Sequence, residues 1–204
     1  MTMTNKIARA FSWFFHPLLM PTIGIMILLF TDSYISFIPV EAKKMLIILT
    51  AIGTLILPAL MIPLFLLQGR ISNMELDDRR ERIYPLALTF VFYMLTFILF
   101  LRIPVFKLIH SFMLGTLLSV LAGFLISLKW KISTHMIGLG GITALILILS
   151  FKLDIYLLYP LIGILIATGL AGSSRLYLKA HSEPQVYTGF FTGLLLVLGS
   201  LLVY

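Results

Sequence analysis

Two short runs place histidine among hydroxyl and cationic neighbours: Ile132-Ser133-Thr134-His135, and Ser174-Arg175 followed by His181 and then Gln185. Lys131 adjoins the first run, and a third cluster holds Arg79, Arg80 and Arg82. This inventory suits an anion with several oxygens. Arginine's planar fork pairs phosphate bidentately, and helix N-termini offer free N–H groups. Phosphoryl transfer needs a nucleophile, a proton donor for the departing oxygen and fixed positive charge around the transferring group. Two histidines can divide the first two tasks, His135 and His181 being the candidates.

The elements that must position these residues are set by composition. Of 204 residues 60% are hydrophobic and 11% charged, outside the range of a water-soluble domain. The expected fold is all-α, a polytopic transmembrane bundle of six or seven spans forming a single domain over residues 1–204. Apolar runs place the spans near Phe11–Phe30, Met45–Leu67, Ile83–Leu101, Val105–Leu128, Met136–Phe151, Ile155–Ala171 and Val186–Tyr204. Lys6 and Arg9 precede the first run as in a signal sequence. Its length, Pro17 and Pro21, and the lack of a small-residue cleavage site predict an uncleaved helix instead. With no cysteine the chain has no disulfide framework, thiol catalysis or thiolate metal site. A net charge of +7 without an extended basic, aromatic-studded surface points to anionic lipid as partner rather than nucleic acid.

Counting spans puts the polar segments 68–82, 129–135 and 173–185 on one side of the membrane. Lys and Arg number ten on that side and five on the other, which would make it cytoplasmic. Setting aside Arg79, Arg80, Arg82, Lys131 and Arg175 as possible ligand-binding groups leaves five against five, so charge leaves the sidedness open. A multi-pass protein of a bacterial-type plasma membrane is the expected setting.

Ser174-Arg175, His181 and Gln185 resemble the third signature of the type 2 phosphatidic acid phosphatase superfamily, Ser-Arg-x5-His-x3-Asp. Ile132-Ser133-Thr134-His135 is similar to its second signature, Pro-Ser-Gly-His. The segment from Asp78 to Pro85 is a degenerate counterpart of the first, Lys-x6-Arg-Pro. The resemblance implies that His181 is the nucleophile of a phosphohistidine intermediate and that His135 protonates the leaving alcohol. It implies phosphate binding by Arg175, Ser174, Ser133 and Lys131, and by Arg82 with Arg79 or Arg80. It also implies a lipid phosphomonoester or diphosphate as substrate, and no metal or other cofactor.

Four departures bear on this reading. Gln185 stands where the family has an aspartate, Ile132 where it has proline, Thr134 where it has glycine, and Glu75 where the first signature has lysine. A glutamine carbonyl accepts the histidine N–H but brings no negative charge to favour a cationic ring. In serine proteases, replacing the analogous aspartate by its amide lowers turnover by roughly 10⁴, equivalent to ~5 kcal/mol of barrier. Purely structural roles are also open. Ser182-x-x-Gln185 is a capping box, Ser133 or Thr134 can cap the fifth span, and the basic residues can anchor at lipid headgroups. His16 reads as an interfacial residue, and Gly138, Gly140 and Gly141 as small residues for close helix packing. Besides a phosphatase, two other functions fit. One is a non-catalytic relative that binds or moves anionic lipid. The other takes Asn73, Asp77 and Glu81 as a magnesium-diphosphate motif similar to that of membrane prenyltransferases.

Overall fold

A computed structural model describes residues 3–72 and 79–203, apart from the side chain of Thr4. Within them the chain is helical throughout: α1 (Met3–Phe14), α2 (Met20–Phe30), α3 (Val40–Ala51), α4 (Leu57–Leu67), α5 (Ile83–Leu101), α6 (Lys107–Ser127), α7 (Thr134–Lys152), α8 (Leu158–Tyr177) and α9 (Glu183–Val203). Long apolar runs adopt this form because only a helix satisfies its own backbone where no water is available. Six helical stretches are long and apolar enough to cross a bilayer, so this is an integral, multi-pass membrane protein.

The bundle is organised around α7. In its most apolar window 67% of residues are buried, against 22–50% in the other five stretches. α9 lies parallel to it at very short range. A Cβ at Gly189 would press on the Ser133 carbonyl, one at Gly193 on that of Ile137, and one at Gly140 on that of Phe190. Further along, Gly141 faces Val197, and Lys152 Nζ donates to the Leu201 carbonyl at 3.2 Å. Small residues are what such backbone approach requires when lipid offers no hydrophobic drive. Gly140 and Gly141 thus serve the packing role expected of them; Gly138 instead faces Met20 on α2.

α8 is not among the six apolar stretches. It nevertheless runs from the end of α7 back to the start of its parallel neighbour α9. Its 20 residues span ~30 Å, the thickness of a hydrocarbon core, so it makes a seventh crossing.

Three boundaries differ from those expected. The first span is not one helix: α1 ends at Phe14, and a short 3-10 turn at Pro17–Leu19 precedes α2. Pro17 lacks an N–H and forces His16 into an extended conformation (φ −62°, ψ 133°), so the helix cannot continue through it. α1 then packs on α8 while α2 enters the bundle against α3, α6 and α7. The second span begins earlier, at Val40, and contains a π turn at Ile52–Ile56 just before Pro58, whose missing N–H breaks the regular ladder. α8 continues to Tyr177, which puts Ser174 and Arg175 inside its last turns rather than beyond them.

If the α7–α9 contact sets the fold, Gly193→Leu will lower the thermal midpoint of the detergent-purified protein. The expected loss is about 2 kcal/mol or more. Gly199→Leu, where a Cβ meets nothing within 4 Å, will leave it unchanged.

Candidate functional site

The ends of α4, α6 and α8 and the starts of α5, α7 and α9 meet on one side of the bundle, as the span count requires. Arg79 Nη1 donates to the carbonyls of Ser127 and Leu128 and closes the C-terminus of α6. One turn on, Arg82 is buried (6% exposed) and its Nη1 lies 3.4 Å from the Ile132 carbonyl and 3.4 Å from His181 Nε2. Of the three arginines, Arg82 faces the histidine, Arg79 caps a helix, and Arg80 is exposed.

His181 is positioned by the turn that ends α8. Lys179 takes a left-handed conformation (φ 52°), and the N–H groups of Ala180 and His181 return to the Arg175 carbonyl. The chain then starts α9, whose Gln185 Oε1 accepts from the Ser182 N–H at 3.2 Å and contacts His181 Nδ1 at 3.2 Å. The capping role and the histidine-orienting role of Gln185 are therefore both filled, by a single atom. This fixes the ring's tautomer. A backbone N–H can only donate, so the glutamine atom is the carbonyl oxygen, and Nδ1 must carry the hydrogen it donates. Nε2 is left with the lone pair, directed at the Arg82 guanidinium. The Gln185 main-chain carbonyl also accepts from the Ser133 N–H at 3.3 Å, joining the first turn of α9 to the start of α7.

His135, in the first turn of α7, is held by a residue outside the two signature runs. Its Nε2 lies 3.1 Å from the Ser12 carbonyl, an acceptor, so Nε2 carries the hydrogen in the neutral ring. Its Nδ1 is buried and has no hydrogen-bond partner among the described residues. Ser12 Oγ accepts from Arg175 Nη1 at 3.3 Å, so one serine of α1 ties down both His135 and Arg175. His16, expected at the interface, is half-buried with its ring centroid 5.7 Å from that of His135.

These groups share one cavity of about 190 Å³. Its polar end is lined by His16, Arg82, Thr134, His135, Arg175 and His181. Ser133, Ser174, Lys131, Arg79 and Arg80 do not line it. Ser174 Oγ donates to the Leu170 carbonyl at 2.7 Å within its own helix. Ser133 occupies the N-cap position of α7 without a side-chain cap bond, and its Oγ is buried with no partner among the described residues. Lys131 acts on His181 through its charge. Asn73, Asp77, Glu75 and Asp78 lie outside the described residues; Glu81 accepts from Ser72 Oγ at 3.1 Å. Among the described residues no three His, Asp or Glu side chains form a metal-binding group.

His181 is pushed down to about 3 by burial first, then by the positive charges of Arg82, Arg175 and Lys131; the Gln185 hydrogen bond pulls the other way. The ring is neutral at ordinary pH, with Nε2 available as a nucleophile rather than an acid.

Ser12 and His16 are the residues that sequence reasoning missed. They stand 123 and 119 positions before His135, outside either signature. The available signal was position alone, since His16 falls on the polar side and Ser12 shares a helical face with Ala8.

No protein-family model, curated protein or solved structure matches the chain.

The depressed His181 value has a consequence for stability. An unfolded histidine titrates near 6.5, so between about pH 6.5 and 3 the unfolded chain binds the extra proton. Stability due to this group is fully present above about pH 6.5 and is lost as pH falls toward 3. Thermal midpoints at pH 7 and pH 5 should therefore fall further apart in the wild type than in His181→Asn.

Proposed function

We propose that this protein is a divergent relative of the type 2 phosphatidic acid phosphatases and hydrolyses a lipid phosphomonoester or diphosphate through His181. The observation that carries the reading is the fixed tautomer of His181. Gln185 holds Nδ1–H, and the Nε2 lone pair sits at the polar end of a cavity that also presents His135, Arg82 and Arg175. The membrane concerned is, by the expectation from sequence, a bacterial-type plasma membrane.

In the proposed reaction the headgroup phosphate binds between Arg82 and Arg175, drawing the Arg82 guanidinium off Nε2. The freed lone pair attacks phosphorus, forming the P–N bond as the P–O bond to the lipid breaks. His135 Nδ1 takes the proton that the headgroup phosphate monoanion carries into the site and gives it to the departing oxygen; its Nε2–H stays on the Ser12 carbonyl. Water then attacks phosphorus with His135 Nδ1 taking its proton. The P–N bond breaks, phosphate leaves, and His181 recovers its lone pair. Arginines supply the charge stabilisation that the transition state requires.

One observation favours a second reading, a relative that binds or moves anionic lipid without cleaving it. The amide of Gln185 adds no charge to stabilise the ring once Nε2 is phosphorylated, whereas a carboxylate would.

Phosphate release from phosphatidate, phosphatidylglycerol phosphate and undecaprenyl diphosphate, measured with EDTA present, decides between them. Hydrolysis predicts release that His181→Ala and His135→Ala both abolish in folded protein. Gln185→Glu is expected to raise turnover by about tenfold or more, because its charge favours the cationic ring of the phosphohistidine. Lipid binding without release in the wild type and in Gln185→Glu would establish the binding relative.

A further inference from the structure

The cavity does not end at the histidines. From the polar mouth it continues inward between α5, α6 and α7, lined by Leu86 and Tyr93, Phe112 and Val120, and Ile142, with Val197 of α9 at depth. Gly123, Gly138 and Gly141 also line it. The hydroxyls along this wall are already engaged. Thr89, Thr116 and Ser119 donate to carbonyls of their own helices at 2.7 to 2.8 Å. An apolar occupant therefore meets methyl groups and satisfied polar atoms.

The dimensions are those of one hydrocarbon chain. The lining runs from Arg82, just before α5, to Tyr93 on it, from Gly123 to Phe112 on α6 and from Thr134 to Ile142 on α7. At the helical rise these segments are ~12 to 16 Å deep, close to half the ~30 Å hydrocarbon core. An engineered apolar cavity of about 150 Å³ in a lysozyme core takes a single benzene ring. About 190 Å³ in a slot this deep holds a stretch of one chain and not two chains side by side.

We infer that the bundle accepts the tail of its ligand internally, and that the ligand is a phosphate or diphosphate carried on a single hydrocarbon chain, alkyl or isoprenoid, in preference to a diacyl phospholipid. This rests on the assignment of the polar mouth to a phosphate headgroup. The headgroup at Arg82, Arg175 and His181 sets the register, and the chain then points along α6 toward Phe112.

The test uses the full-length protein in detergent with dodecyl phosphonate carrying a terminal diazirine, and mapping of the photolabel by peptide mass spectrometry. The expected label lies on the deep wall at Tyr93, Phe112 or Val197. Dodecyl phosphate and farnesyl phosphate should displace it, the stronger of the two telling straight from isoprenoid chains. Dioleoyl phosphatidate should compete about tenfold more weakly. Thr116→Phe, which fills the slot, should cut deep labelling about tenfold, while Leu165→Phe on the exposed face of α8 should not. If Thr116→Phe does not fold, Thr116→Leu serves the same purpose. Label on outward residues such as Leu165, or equal competition by phosphatidate, would overturn the inference. Phosphate release measured on the same preparations separates the two readings. Deep label without release from any lipid sinks the phosphatase and leaves the slot, and release with label only on the outer surface does the reverse.

Discussion

The close parallel contact between α7 and α9 is the constraint on which the site depends. Glycine at 140, 189 and 193 lets the two backbones approach until carbonyls of one helix touch the α-carbons of the other. At that separation the Ser133 N–H reaches the Gln185 main-chain carbonyl, and the first turns of both helices are locked in register. His135 stands in one first turn and His181 immediately precedes the other. Their common access to one cavity follows from this packing together with the short turn from α8 to α9 that carries His181.

Gln185 shows how a structural and a chemical demand can fall on one atom. Its Oε1 accepts a backbone N–H that helix initiation leaves unpaired and also the Nδ1–H of His181. A carboxylate there could make both bonds and would add charge. The amide makes both without it, so the neutral ring keeps its orientation in a strongly cationic setting. Burial together with Arg82, Arg175 and Lys131 then holds His181 neutral, a state that suits a nucleophile and suits equally a ring that only accepts from a guanidinium.

Much of this was legible in the sequence because membrane helices are encoded by composition over long windows. The span count put the three polar segments on one side, and Arg82, His135, Arg175 and His181 indeed meet there. What was not legible has physical reasons. Hydropathy could not see the break at Pro17, since the residues on both sides are apolar and only the missing N–H interrupts them. It also could not see that Ser174 spends its hydroxyl within its own helix, or that Arg79 reaches across to α6, because both depend on rotamer and neighbour rather than on residue type. Ser12 and His16 were invisible for the opposite reason: nothing local marks them, and their importance comes from the tertiary placement of α1.

That placement bears on how the site meets its surroundings. α1 turns Ala8 and Ser12 inward, where Ser12 holds His135 and Arg175. Met3, Ile7 and Phe14 are left 79%, 48% and 72% exposed on the opposite side. An apolar face of that kind is unfavourable in water and favourable at the headgroup boundary of a bilayer. The helix that braces His135 thus turns its polar contacts inward and its apolar residues outward. Its attachment to the rest of the bundle runs through the Pro17 break and the face it shares with α8. A site assembled this way is complete only when α1 holds its place, because Ser12 is the residue that ties His135 to Arg175.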